Sequence, residues 1–275
     1  MNNQLLHVFR NTPFGRETFL SSVYMCQKTQ MHLKIYIPQY PQFLMYFSRE
    51  IVTIHLDSEF LQFPETAKRH AEELVQDTGI EASFLEPKRF TASTLPDIPT
   101  DFGLMTCPRT ISDISSKIGL GYIGPRVRGI IKNASFPVLI PASVFKEWKN
   151  ILVFFGGSHN ALNALKVGMK IQSLSGLSLK IFTYAQKKPK SHYEEIIDEA
   201  GLTNRLKESL REWIFITQGS FDENLYEVPH DALVIVGAYG HGLIKDLLFG
   251  STMERIQTLL PNSMLIVGPH YAEEY

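Results

Sequence analysis

From Asn150 to the C-terminus, short apolar runs and amphipathic segments alternate in the sequence. "NILVFF" (Asn150–Phe155) is β-branched and aromatic and ends at Gly156-Gly157, as a buried strand does. "SHNALNALKVGMKIQSLSG" places Ala161, Leu162, Leu165, Met169 and Ile171 at helical spacing and stops near Gly176. "LSLKIFTYA" (Leu177–Ala185) reads as a second strand, and "SHYEEIIDEAGLTNRLKESLREW" as a charged helix broken at Gly201. "IFITQG" (Ile214–Gly219) is a third strand, "SFDENLYEVPH" a short helix and turn, and "DALVIVG" a fourth strand. "STMERIQTLL" (Ser251–Leu260) is a helix and "NSMLIVGP" (Asn262–Pro269) a fifth strand. This alternation points to a parallel sheet covered on both faces by its crossover helices.

The first half carries a fainter copy of the same layout. With a constant offset and no gap, "LKI" at Leu33–Ile35 falls on "LKI" at Leu179–Ile181. "IGPRVRGIIKNASFPVLIP" (Ile123–Pro141) matches "FGSTMERIQTLLPNSMLIV" (Phe249–Val267), with Gly124 on Gly250 and Ile130 on Ile256. Two diverged α/β units therefore fill the 275 residues, 1–143 and 148–275, meeting near "PASVFKEWKN" (Pro141–Asn150).

Composition narrows the function classes. The net charge is −1, which recruits neither nucleic acid nor acidic membranes. The most apolar stretch, Phe43–Leu56, is broken by Arg49 and Glu50, too early for a membrane span. The N-terminus lacks a signal-peptide pattern, and two cysteines, Cys26 and Cys107, make neither a disulfide framework nor a zinc site. These features point to the cytoplasm. No serine–histidine–aspartate set, carboxylate pair or metal-ligand spacing can be placed in one site from the sequence.

The segment after the fourth strand, "GAYGHGLIKDLLFGST" (Gly237–Thr252), is where chemistry is expected. Parallel sheets bind ligands at the carboxyl ends of their strands. Glycines let backbone N–H groups approach phosphates, and a helix starting at Ser251 would aim its own N–H groups at the same space. Two plainer readings stay open: Ser251 with Glu254 is a capping box, and the glycines could be turn residues. No lysine completes a Walker A loop. "GLGYIG" (Gly119–Gly124) matches a dinucleotide fingerprint in form only, for it follows no strand pattern.

The spacing Gly237-x2-Gly240-x9-Gly250-Ser251 resembles the signature of the universal stress protein family, and it falls after the fourth strand, as in that family. The resemblance covers most of Asn150–Tyr275, and the whole chain is similar to the tandem members. It implies two tandem open parallel five-stranded sheet domains of the adenine nucleotide α-hydrolase-like, Rossmann-like type. These would pack as an internal pseudo-dimer through Phe136–Ile140 and Ser263–Val267, with a further homodimer left open. It implies ATP or a related adenine nucleotide, with Mg as its companion ion, bound in the second domain. The contacts would be Gly157, Ser158, Val236, Gly237, Gly240, Gly250, Ser251 and Thr252.

There are departures. Nucleotide-binding members usually carry an aspartate where this chain has Gly156. In the first half, Arg10 and Asn11 replace Gly156-Gly157, and Cys107 and Arg109 lie where glycines belong, so no ATP is expected there. Arg109, Arg126 and Arg128 could form an anion site or a solvated surface. The expected function is a stress-response sensor or switch with unknown protein partners, any ATP hydrolysis being slow and incidental. The rival is a non-nucleotide interaction scaffold of the same fold.

Overall fold

A computed structural model describes residues 2–87, 94–109, 111, 123–185, 188–238 and 260–271. The chain divides into two compact units, Met1–Lys146 with His270–Tyr275, and Glu147–Pro269.

Unit 1 contains β1 (Gln4–Val8), α1 (Pro13–Thr29), β2 (His32–Tyr36), β3 (Gln42–Tyr46), β4 (Ile51–His55) and a 3-10 turn at Ser58–Phe60. It continues with α2 (Pro64–Val75), β5 (Ala82–Phe84), β6 (Asp97–Ile98), β7 (Leu104–Thr106), α3 (Pro125–Asn133) and β8 (Val138–Ile140). Five strands pair in parallel in the order β8-β7-β1-β2-β5, with Leu5 level with Leu33 and Leu104. A small second sheet, β4-β3-β6, has an antiparallel hairpin as its main part. That hairpin is the Phe43–Leu56 region of the sequence. Its charged interruption is the turn, where Phe47 N–H donates to the Glu50 carbonyl and Arg49 is exposed.

Unit 2 contains β9 (Asn150–Phe154), α4 (His159–Ser175), β10 (Ser178–Tyr184), α5 (Lys190–Glu199), α6 (Thr203–Ser209) and β11 (Leu210–Ile216). After these come α7 (Phe221–Asn224), a 3-10 turn at Leu225–Glu227, β12 (Ala232–Gly237) and β13 (Met264–Val267). Its strands run in parallel in the order β11-β10-β9-β12-β13. Every residue of β12 and β13 is buried, which explains their unbroken apolar sequence.

The repeat is exact in its first three elements. Gln4 corresponds to Asn150, Pro13 to His159 and His32 to Ser178, each 146 residues apart. Both first helices open on a hydroxyl cap: Thr12 accepts from Gly15 N–H at 3.0 Å and Ser158 from Ala161 N–H at 3.2 Å. Both end in a left-handed residue, Gln30 and Gly176.

The two cores solve the same contact differently. Beneath α4, Gly168 lets Val153 approach; a Cβ there would lie 2.6 Å from a Val153 methyl, with Ile235 alongside. The matching positions in unit 1 are His7, Ser22 and Thr106, a fully buried polar chain. Ser22 Oγ donates to Thr106 Oγ1 at 2.8 Å, so the His7 ring donates to Ser22 through Nδ1, also at 2.8 Å. His7 Nε2 is left without a partner, and burial pulls the imidazole pKa down to about 3.

Candidate functional site

The end of β9, the start of α4 and the end of β12 converge in unit 2. The β9–β12 register sets Val236 level with Phe154, so Gly237 stands beside the turn that leaves β9. In that turn Gly156 is exposed and Gly157 has φ +76°, a conformation that side chains resist. A Cβ on Gly157 would also lie 2.9 Å from Ile196 Cδ1 of α5.

Ser158 is committed to capping α4. Its Oγ takes Ala161 N–H and its carbonyl takes Leu162 N–H. The N–H groups of His159 and Asn160 are the first-turn donors that no helical carbonyl can take. They sit at the carboxyl end of the sheet, where the helix dipole favours an anion.

Gly237 serves the contact between β12 and α4. A Cβ there would fall 2.2 Å from the Asn160 carbonyl oxygen and 2.8 Å from Ala161 N. The buried Asn160 side chain closes the contact by donating from Nδ2 to the Ala238 carbonyl. Asn160 was not among the residues expected from the sequence; a polar residue on the buried side of the helix start was the available signal. Thus Gly157, Ser158, Val236 and Gly237 come together in one place. Gly240, Gly250, Ser251 and Thr252 lie outside the described residues.

An aromatic cluster supports the turn. Phe155 meets Tyr193 and Trp213 edge-on, each at 6.3 Å between centroids. Trp213 Nε1 donates to Thr183 Oγ1, which donates to the Phe155 carbonyl. A groove of about 710 Å³ between α5, α6 and β11, lined by Lys190, Asp198, Lys207, Arg211 and Trp213, shares no residue with the expected site. Its mixed charges favour no single ligand.

In unit 1 the corresponding strand end is filled by the chain itself. Arg10, in the place of Gly156, pairs with Asp57 at 3.2 Å and with Glu59, and lies over the Phe60 ring at 5.3 Å. Asn11 Oδ1 is 2.9 Å from His70 Nδ1 of α2. Further round, Gly124 N–H donates to the Arg109 carbonyl, and burial lowers the Arg109 pKa. Arg126 is exposed at the start of α3. Cys107 and Cys26 are buried, which raises both thiol pKa values, that of Cys26 to about 12.

Among the described residues, no group of three His, Cys, Asp or Glu side chains could hold a metal ion, and no helix is long and apolar enough to cross a membrane.

No family model matches the chain. It is 22% identical over 197 residues to a universal stress protein of Synechocystis sp., a match covering 68% of this chain. The chain spans about 65% of the length of that curated relative. Among solved structures, a universal stress protein from Archaeoglobus fulgidus is similar at TM-score 0.64 and 14% identity, over 98% of this chain and 99% of that one. The cytoplasmic domain of a prokaryotic cation chloride cotransporter is similar at TM-score 0.51 and 13% identity, over 96% and 94%. At such identities the structural matches speak for the fold alone.

Proposed function

We propose that this tandem chain of the universal-stress-protein type binds one adenine nucleotide, ATP foremost, in unit 2, and acts as a cytoplasmic stress-response switch. The observation that carries the reading is the position of the glycine series. Gly237, its first member, stands at the end of β12 against the first turn of α4. The remaining glycines and the Ser251-Thr252 pair follow in the sequence at the spacing of the family signature.

The described donors suit a phosphate. The N–H groups of His159 and Asn160 would bind its oxygens, and the Gly157 turn keeps side chains away from them. None of the expected contact residues is acidic, so Mg would travel on the phosphates rather than on the protein. Nucleotide occupancy would engage the glycine segment and change the surface offered to partner proteins, with turnover slow and incidental. Unit 1 would take no nucleotide, since Arg10 and its two carboxylates fill the matching strand end.

The second reading, an interaction scaffold without a nucleotide, is favoured by Gly156 and by the structural duties of Ser158 and Gly237.

Native mass spectrometry and ATP titration of the wild type, Gly240→Val and Gly156→Asp separate them. One nucleotide per chain, lost in Gly240→Val, is the expected result. Gly156 is exposed and outside the positive-φ region, so an aspartate fits there. Its charge-assisted hydrogen bonds, worth about 1.5–3 kcal/mol, would tighten binding by roughly tenfold to a hundredfold. Silence of both the wild type and Gly156→Asp at millimolar ATP would leave the scaffold reading standing.

A further inference from the structure

At the outer edge of the unit 1 sheet, β2, β5 and the residue just before β5 bring together a hydroxyl, an imidazole, an ammonium and a carboxylate. His32 and Lys34 lie two residues apart on β2, on one face of the sheet. Ser83 on β5 is level with Lys34. Its Oγ is 2.9 Å from His32 Nε2 and 2.8 Å from Lys34 Nζ. On the other side of the ring, His32 Nδ1 is 3.4 Å from Glu81 Oε2. One assignment satisfies both hydrogen bonds: Lys34 donates to Ser83 and Ser83 donates to Nε2, which puts the ring proton on Nδ1, facing the exposed Glu81 carboxylate as a charge contact. That is the polarity of an activated serine, with a base on one side of the hydroxyl, a carboxylate behind the base and a positive charge favouring the alkoxide.

Unit 2 shows that the fold does not require this cluster. In β10 and β11 the matching positions are Ser178, Lys180 and Glu212, and there Lys180 forms an ordinary ion pair with Glu212 at 2.7 Å. Unit 1 keeps the lysine, exchanges the carboxylate for a hydroxyl and adds the imidazole. The group is reachable, because the His32 side chain is 28% exposed and Ser83 is half-buried. The other histidine–serine contact among the described residues, His7 with Ser22, is fully enclosed and can meet no substrate.

We propose that Ser83 is a nucleophile for small carboxylic esters, with His32 as its base, Lys34 as the charge that steadies the oxyanion and Glu81 as a positioning residue. Ser83 Oγ attacks the acyl carbon, and its proton passes to His32 Nε2. Collapse of the adduct breaks the bond to the leaving alkoxide, which takes that proton. Water then attacks the acyl-serine, gives a proton to His32, and releases the carboxylic acid as Ser83 recovers its proton. This activity is separate from the nucleotide reading and does not rest on it.

The test is labelling by a fluorophosphonate, in which Ser83 Oγ displaces fluoride from phosphorus, read by intact mass and peptide mapping. A burst of p-nitrophenol from p-nitrophenyl acetate is the second readout. A single adduct on Ser83 is expected, absent in Ser83→Ala and slowed at least tenfold in His32→Gln and Lys34→Gln. Glu81→Gln should slow it a few-fold. Ser83→Glu recreates the ion pair of unit 2, so it should keep the wild-type Tm while losing both the label and the burst. An unlabelled Ser83 in folded wild type overturns the proposal, as does a label in His32→Gln at the wild-type rate.

Discussion

The buried His7 costs unit 1 stability in acid. Its folded pKa, about 3, lies below the ordinary imidazole value of 6.5, so the unfolded chain binds a proton that the folded chain refuses. That stability is fully present above pH 6.5 and is lost as the pH falls towards 3. At 1.36 kcal/mol per pKa unit, about 3 kcal/mol disappears between pH 6.5 and pH 4. The triple change His7→Val, Ser22→Gly, Thr106→Ile installs the apolar solution of unit 2. Denaturant midpoints across that range should fall less in the variant than in the wild type; parallel slopes would mean that His7 is not the group responsible. The thiols make a simpler case. Burial holds both cysteines protonated, so a disulfide-exchange reagent should find none in the native protein and two after unfolding.

At the scale of elements, capping and ligand binding share one helix end and can be separated. Ser158→Ala removes the cap of α4 and should lower stability by about 1 kcal/mol, while Ser158→Asn should restore most of it. If the serine only caps, ATP affinity at temperatures well below melting stays the same in both variants. Loss of affinity in Ser158→Ala and in Ser158→Asn alike would give the hydroxyl a direct part in binding. Element boundaries also mark where the sequence misleads. "LREW" before Ile214 continues a charged helical pattern, yet Leu210–Trp213 already belong to β11. β11 lies at the outer end of its unit's strand order, where Arg211 and Glu212 can face solvent, so the apolar signal of a strand is diluted there. Glycines mark helix ends more faithfully: Gly176 and Gly201 both follow helices and take positive φ.

For the whole molecule, the two units are unequal copies and should respond unequally. Nucleotide should protect unit 2 against unfolding, by about 2.7 kcal/mol at a hundred times Kd, and leave unit 1 unaffected. Hydrogen exchange resolved by peptide would show protection gathered on β9, α4 and β12. Protection of β1 and α1 instead would mean that the Arg10–Asp57–Glu59 cluster yields to the ligand. The insertion that supplies those carboxylates, with its antiparallel hairpin, is the main departure of unit 1 from a plain repeat.

The sequence by itself determined the alternating α/β class, the two-fold repeat and those helix ends that a cap or a glycine marks, because periodicity, caps and glycines act over a few neighbouring residues. It also placed Gly157, Ser158, Val236 and Gly237 at strand ends and turns, the positions where parallel sheets do chemistry. Only the tertiary structure decided which polar groups meet. Arg10 finds Asp57, Asn160 reaches Ala238, and Ser83 lies between His32 and Lys34 through the parallel register of β2 and β5. Crossover connections and strand register set such meetings across tens of residues, and a local pattern of apolar and polar positions leaves no trace of them.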